Sequence, residues 1–168
     1  DEIVFTQNTS EALNLVAYSY GMHFLRAGDE IVLSVAEHHS NLVPWQRVAE
    51  ATGAKLVYLY PGADGRLTTE ELDAKITDQT RLVAIAEVSN VLGLRAPVEE
   101  IVKRAHAVGA VVVLDCAQSA PHKPVDVKAL DVDFAACSAH KLYAPMGVGA
   151  LYARAELLEK MPPFLSGG

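Results

Sequence analysis

The fold is decided by the stretch AVVVLDCAQ, which runs from Ala110 to Gln118. Its first five residues are all apolar, without the alternation seen in a strand that has one face in water. Such a run is typical of a strand in a parallel sheet that is covered by helices on both sides. Asp115 then places a carboxylate directly at the end of the run. Because an unpaired carboxylate is costly in a buried position, we expect a cationic partner for Asp115.

Similar apolar runs recur along the chain and alternate with segments of helical periodicity. This alternation predicts an α/β fold of three layers, αβα, around a seven-stranded and mostly parallel sheet. The short Gly/Pro loop between the last two strands leaves no room for a helical crossover, so the seventh strand is predicted to be antiparallel to the sixth. The predicted strands are Glu2–Phe5, Glu30–Val35, Lys55–Leu59, Arg81–Ala86, Ala110–Leu114, Asp133–Cys137 and Val148–Tyr152.

The first predicted helix begins with two hydroxyl residues, Thr9 and Ser10. Apolar residues then recur at helical spacing as far as Phe24. Thr9 or Ser10 is expected to act as the N-cap of this helix. The alternative is that both hydroxyls, together with the free N–H groups of a helix start, bind an anion.

The composition limits the classes of function. The chain has 168 residues and a net charge of −7, which argues against a nucleic-acid-binding surface. No apolar run approaches the roughly 20 residues of a membrane span. Cys116 and Cys137 lie inside apolar runs, where we expect them to pack as small hydrophobic residues in a reducing cytoplasm. The spacing of cysteine and histidine predicts no metal site.

Side chains capable of chemistry follow five of the predicted strands. In an open α/β sheet, ligands bind outside the carboxyl ends of the strands. We therefore expect these side chains to meet at one edge of the sheet, although any one of them alone is more simply explained as a polar loop residue. They are Thr9 and Ser10, His38 and His39, Ser89 and Asn90, Asp115 and Gln118, and Ser138, His140 and Lys141.

These residue types suit one ligand, pyridoxal 5′-phosphate (PLP). Lys141 follows a buried strand, and its amine is the group that forms a Schiff base with the PLP aldehyde. The alternative is a lysine that simply reaches solvent at the end of its strand. A carboxylate such as Asp115 keeps the PLP ring nitrogen protonated. A histidine such as His38 stacks on the ring and moves protons. The remaining hydroxyl, imidazole and amide groups suit the phosphate, the phenolic oxygen and the substrate.

Four segments together resemble one known family, the cysteine desulfurases of the SufS type. These belong to the class-V aminotransferase group of fold-type-I PLP enzymes. The order and spacing of the segments match the family across nearly the whole chain, and the combination is specific although each segment alone is weak. The segments are Glu37–Asn41 with Val43-Pro44-Trp45, then Val88–Gly93, Asp115–Gln118 and Ser138–Tyr143.

The resemblance implies a role for each site residue. Lys141 is the implied Schiff-base lysine and proton shuttle, and Asp115 the implied partner of the ring nitrogen. His38 is implied to stack on the ring as an acid/base residue, whereas His39 suits a structural role. The other implied contacts are Gln118 to the phenolic oxygen, Thr9, Ser10, Ser138 and His140 to the phosphate, and Asn90 to the substrate carboxylate.

The chain departs from the family pattern at small residues beside these groups. Ala139 stands where glycine is common, and Asn8, Ala12 and Cys116 also replace frequent glycines. These changes leave PLP binding expected and put its fine tuning in doubt.

Residues 1–168 are expected to be the PLP-binding large-domain core of a longer protein, without the C-terminal small domain. In the family, the cysteine that receives the sulfur and the arginines that hold the substrate lie beyond residue 168. Neither Cys116 nor Cys137 matches the position of that nucleophile.

The function implied by the resemblance is conversion of L-cysteine to L-alanine, with persulfide sulfur passed to an acceptor of the SufE/SufU kind for iron–sulfur cluster assembly. A cytoplasmic homodimer is the implied state. Other activities stay open: a selenocysteine lyase, an epimerase-like or kynureninase-like class-V enzyme, or a catalytically incomplete PLP-binding fragment. A nucleotide-binding α/β protein is disfavoured because no Gly-rich phosphate loop follows the first strand.

Overall fold

The computed structural model describes residues 2–167, along which seven strands alternate with helices. The strands are β1 (Ile3–Thr6), β2 (Glu30–Ser34), β3 (Lys55–Leu59), β4 (Thr80–Ala86), β5 (Val111–Asp115), β6 (Phe134–Ser138) and β7 (Gly149–Ala153). The α-helices are α1 (Thr9–Leu15), α2 (Met22–Phe24), α3 (Val43–Thr52), α4 (Thr69–Lys75), α5 (Val98–Ala107) and α6 (Ala155–Leu158).

All seven strands form one sheet in the order β1-β7-β6-β5-β4-β2-β3. Strands β2 to β6 pair in parallel, and β7 is antiparallel to both β6 and β1. The predicted three-layer α/β fold with an antiparallel seventh strand is therefore confirmed. The sequence did not predict that β1 joins the sheet beyond β7. In this order, the carboxyl ends of β1, β6, β5, β4 and β2 open on the same edge.

Two apolar layers pack on the two faces of the sheet. On one face, Leu13 of α1 and Trp45 of α3 are fully buried against the strands. On the other face, Ile101 of α5 packs in the same cluster as Leu114 of β5. Fully burying one such side chain stabilises the fold by about 1.5–3 kcal/mol. Burial on both faces explains why the AVVVL run carries no polar residue.

The first helix is continuous from α1 through a π-helical segment, Val16–Gly21, into α2. Its N-cap is Asn8, whose Oδ1 accepts a hydrogen bond from the Glu11 N–H at 2.9 Å. The expectation that Thr9 or Ser10 caps this helix is therefore wrong. Both hydroxyls make hydrogen bonds to serines of other segments instead. No helix within residues 2–167 is both long enough and apolar enough to cross a membrane.

A cluster of charged groups ties the helix layer to the amino-terminal edge of the sheet. Asp133, which is almost fully buried, accepts a hydrogen bond from the Val112 N–H at 2.7 Å. His106 Nε2 of α5 lies 2.9 Å from the same carboxylate, and Arg154 Nε lies 2.8 Å from its other oxygen. Because the cluster lies at the edge opposite the carboxyl ends of the strands, we assign it a structural role.

Candidate functional site

A cavity of about 280 Å³ opens at the carboxyl edge of the sheet, where five strand ends meet. Nine of the eleven side chains expected at this edge line this cavity, and Ser89 lines a neighbouring pocket instead. The cavity is lined by Asn8, Thr9, Ser10, His38, Ser40, Ala86, Val88, Asn90, Asp115, Ala117, Gln118, Ser138, His140 and Lys141. His39, for which a structural role was expected, does not line it; His39 contributes to a shallower surface groove beside α3.

Two hydroxyls lie side by side at one end of the cavity. Ser138 Oγ, at the end of β6, accepts a hydrogen bond from the Thr9 N–H at 2.7 Å and lies 2.7 Å from Thr9 Oγ1. Both residues are nearly fully buried. The pair joins the start of α1 to the end of β6, two points that are 129 residues apart in the chain.

The close approach of these two segments depends on Gly149 of β7. A Cβ atom at this position would lie 2.7 Å from the Cα of Asn8 and 2.8 Å from the carbonyl oxygen of Cys137. Both neighbours are backbone atoms, which cannot rotate away. The sequence predicts Gly149 as part of the seventh strand but does not reveal this contact, because Asn8 is distant in the sequence.

Asp115 brings a carboxylate to the floor of the cavity, at the end of β5. The residue is only 5% exposed, and its Oδ1 accepts one hydrogen bond, from the Ala117 N–H at 2.8 Å. Burial raises the pKa of Asp115, while the hydrogen bond from the Ala117 N–H and the nearby charge of Lys141 oppose the rise. Among residues 2–167, no cationic group lies within salt-bridge distance of this carboxylate, so the expected cationic partner is not part of the described chain.

Lys141 ends a 3₁₀ turn, Ala139–Lys141, that follows β6 directly. The turn is fixed to β7 by the hydrogen bond from the Ala139 N–H to the Val148 carbonyl, at 2.9 Å. Lys141 is half-buried and lines the cavity, whereas its neighbour His140 is exposed at the rim. The turn therefore places the lysine amine and the Asp115 carboxylate at the same cavity.

His38 lies at the start of a second 3₁₀ turn, His39–Asn41, which its own side chain caps. The Ser40 N–H donates to His38 Nδ1 at 3.1 Å, and Ser40 Oγ lies at 3.1 Å from the same nitrogen. Ser40 Oγ in turn lies 2.6 Å from Ser10 Oγ. Ser40 was absent from the predicted set, since a serine in a turn carries no signal of its own in the sequence.

Behind this turn, Glu37 accepts a hydrogen bond from Asn41 Nδ2 at 2.6 Å. Trp45 Nε1 donates to Asn41 Oδ1 at 3.0 Å, and both of these partners are fully buried. Burial raises the pKa of the Glu37 carboxyl to about 8, with a smaller contribution from the negative charge of Asp115. Glu37 therefore carries its proton at neutral pH, which the sequence did not reveal.

Glu87 links the loops that carry Asn90 and Gln118 through ion pairs. Its side chain is fully buried and forms ion pairs with Lys123 and with Arg95, whose Nε lies 3.2 Å from Glu87 Oε1. Burial acts to raise the pKa of Glu87, but hydrogen bonds from Lys123, Ser119 and Arg95 outweigh it and hold the pKa below its ordinary value. Unlike Glu37, this carboxylate is therefore charged.

The two cysteines do not contribute to the cavity. Cys116 and Cys137 line a separate apolar groove of about 300 Å³ over β6 and β7. Both are free thiols, and burial raises the pKa of each. This location is consistent with the expectation that neither cysteine is the sulfur nucleophile.

The aminotransferase class-V family model matches residues 1–168. A probable cysteine desulfurase of Synechocystis sp. is 50% identical over 167 residues, covering 99% of this chain and 40% of that protein. A cysteine desulfurase of Dickeya dadantii is 51% identical over 168 residues, covering 100% of this chain and 41% of that protein. The chain thus spans about 40% of the length of these curated relatives.

Solved structures give the same result. The cysteine desulfurase CsdA of Escherichia coli, in its S-sulfonic acid form, superposes with a TM-score of 0.94 at 48% identity, over 99% of this chain and 42% of that one. A lysine-to-alanine mutant named C-DES, which carries glycine covalently linked to its PLP cofactor, has a TM-score of 0.89 at 27% identity, over 99% of this chain and 44% of that one.

Proposed function

The chain belongs to the class-V aminotransferase family, and from that premise we propose that it is the cofactor-binding core of a PLP-dependent cysteine desulfurase. The identity of about half of all residues with proteins named cysteine desulfurase supports this activity. The single observation that carries the proposal is the placement of Lys141 and the buried Asp115 carboxylate at one cavity.

The residues of the cavity fit PLP. Asp115 is a buried carboxylate with only one hydrogen-bond donor on the described chain, which leaves it able to accept from a protonated ring nitrogen. Lys141 supplies an amine for the aldehyde, and Gln118 an amide for the phenolic oxygen. The hydroxyls of Thr9, Ser10 and Ser138 together with His140 suit the phosphate.

Individual residues of this chain are assigned to proton transfer, ring orientation and substrate binding. Bound PLP supplies an electron sink for the electron pair left when the Cα–H bond of an amino-acid substrate breaks. Lys141 Nζ takes up the α-proton, and Asp115 holds a proton on the ring nitrogen beside it. The imidazole of His38 orients the ring and exchanges protons at its Nε2. The side-chain amide of Asn90 binds the substrate carboxylate.

The whole protein is proposed to convert L-cysteine to L-alanine, as a cytoplasmic homodimer of the SufS type. Residues 1–168 would form the core of its large domain, and a small domain would lie outside them. The cysteine that accepts the sulfur is assigned to a segment beyond Gly168. The sulfur would then pass to an acceptor of the SufE/SufU kind for iron–sulfur cluster assembly.

The test is Lys141→Ala in the full-length protein, with Lys103→Ala, an exposed lysine on α5, as the matched control. We expect Lys141→Ala to abolish the visible absorbance band of lysine-bound PLP and the release of alanine from L-cysteine. The control should keep both. An unchanged band in Lys141→Ala would refute the assignment of Lys141, and a PLP-loaded wild type that releases no alanine or sulfide would refute the proposed activity. Parallel assays with L-selenocysteine as the substrate distinguish a selenocysteine lyase from a cysteine desulfurase.

A further inference from the structure

The contacts of the His38 ring determine which of its nitrogens carries a proton. The Ser40 N–H lies 3.1 Å from His38 Nδ1 with donor geometry. A backbone amide donates and cannot accept, so Nδ1 must be the accepting, unprotonated nitrogen in this arrangement. In a neutral imidazole the proton then resides on Nε2.

The side chain of Ser40 acts on the same nitrogen. Ser40 Oγ is 3.1 Å from His38 Nδ1, and because that nitrogen bears no proton, the hydroxyl is the donor. When the Ser40 hydroxyl donates to Nδ1, Ser10 is the donor in the 2.6 Å contact between the two Oγ atoms. All three residues, His38, Ser40 and Ser10, belong to the cavity lining.

We infer that Ser40 is a positioning residue that holds His38 with its proton on Nε2. His38 then presents a hydrogen-bond donor to a ligand, and its Nδ1 is not available as a base. Proton uptake is left to Lys141, so that the two residues have separate roles. This division of roles rests on the proposed function, whereas the tautomer itself follows from the contacts of the chain alone.

The test measures the tautomer directly. The full-length protein, free of PLP, is labelled with ring-¹⁵N histidine and studied by solid-state NMR at about pH 9, where imidazole groups are neutral. The His38 signals are assigned by their loss in His38→Gln. We expect wild-type His38 to show protonated Nε2 and a hydrogen-bonded, unprotonated Nδ1.

Four serine variants separate the contributions. Ser40→Ala keeps the amide and removes the hydroxyl, and we expect the ratio of the Nδ1–H to the Nε2–H form to rise about fivefold, the factor contributed by one neutral hydrogen bond. Ser40→Thr retains a hydroxyl and should restore the wild-type ratio. Ser10→Ala should change it less than twofold, and Ser166→Ala, outside the cavity, not at all.

A wild-type His38 found mainly as Nδ1–H would overturn the inference, as would an unchanged ratio in Ser40→Ala. Since the NMR measurement uses protein without PLP, it is independent of the proposed function. Failure of the wild type to bind added PLP would reject the proposed function and leave the tautomer result standing. If both hold, Ser40→Ala should also lower kcat for L-cysteine in proportion to the Nε2–H population it loses, with recovery in Ser40→Thr.

Discussion

At the scale of single residues, Asp115 combines burial with a carboxylate that the described chain pairs only weakly. Its carboxylate lies at the end of a strand whose other residues are apolar, and the described chain provides it with one N–H donor. A buried, weakly paired carboxylate destabilises the folded state. Such a group is kept where a ligand needs it, which is the strongest structural argument for a cationic ligand atom at this point.

Substituting Asp115 should therefore separate stability from function. In Asp115→Asn, we expect the free energy of unfolding of the PLP-free protein to be unchanged or raised by up to about 1 kcal/mol, because a desolvated charge is removed. Alanine formation should fall by at least about 100-fold, since an amide does not hold a proton on the ring nitrogen. Urea unfolding and alanine assays measure the two effects. A parallel loss of both would mean that Asp115 acts mainly in folding.

Glu37 gives a prediction about pH. Burial raises its pKa to about 8 in the folded protein, from the ordinary value of 4.5. Protonated Glu37 therefore contributes stability that is fully present below about pH 4.5 and is lost as the pH rises through about 8. We expect Glu37→Gln to remove this loss. Between about pH 5 and about pH 8, the free energy of unfolding of the wild type should therefore fall by at least ~1 kcal/mol more than that of the variant. Glu50→Gln, on the exposed face of α3, is the control. Parallel stability–pH curves for wild type and Glu37→Gln would contradict the assignment.

The location of Lys141 and Asp115 at one cavity was predictable from the sequence, because each has a distinctive chemistry at a strand end. Residues that act through neighbours were not. Asn8 was overlooked as the cap because Thr9 and Ser10 are equally good capping residues. Ser40 and Glu37 gain their roles from hydrogen bonds and burial that depend on how the turn packs on Trp45, which no local pattern specifies.

At the scale of secondary-structure elements, the site depends on how closely the start of α1 approaches the strands β6 and β7. Hydrogen bonds from Thr9 to Ser138 join α1 to β6. Gly149 of β7 leaves the space for the backbone of Asn8. The antiparallel strand thus has a function beyond completing the sheet, because it lets β1 and α1 dock beside the lysine turn.

Gly149→Ala should disrupt this junction. The added Cβ would lie 2.7 Å from the Asn8 Cα, so the backbone must shift, and we expect a loss of about 2–3 kcal/mol in unfolding free energy. PLP affinity should fall as well, because Thr9 and Ser138 move apart. Gly62→Ala is the matched control: its Cβ would meet the flexible Asp64 side chain at 3.3 Å and the Arg66 carbonyl oxygen at 3.7 Å, an ordinary contact distance. Thermal unfolding and PLP titration of both variants test this, and equal effects would show that close approach at Gly149 is unimportant.

At the scale of the whole molecule, the two edges of the sheet have different roles. The carboxyl edge gathers the cavity residues, and the amino edge carries the structural cluster around Asp133. The hydrophobic pattern predicted the layers, and the short loop before the last strand predicted its antiparallel direction, but neither predicted the complete strand order. Apolar spacing shows which side chains are buried, and it does not show which strands are neighbours, so the position of β1 beyond β7 had to come from the structure.

Asp133→Asn should destabilise the protein without changing its chemistry. The variant removes the buried carboxylate that Arg154 and His106 share and leaves them only the exposed Asp131, so we expect a loss of about 3 kcal/mol in unfolding free energy. PLP affinity and kcat at a temperature well below the unfolding transition should stay within about twofold, since the cluster lies at the opposite edge of the sheet. Exposed Asp78→Asn should be neutral in both assays. A selective loss of PLP binding in Asp133→Asn would show that the two edges are coupled.

The burial of the two cysteines has a consequence for the fidelity of sulfur transfer. A persulfide sulfur moves only to a thiolate, and a thiol with a raised pKa remains protonated and unreactive at neutral pH. Cys116 and Cys137 both have raised pKa values and line a groove separate from the cavity. In a desulfurase they would compete poorly for the mobilised sulfur atom. The core would thus avoid diverting its own product, and the choice of acceptor would belong to the cysteine assigned to the segment beyond Gly168.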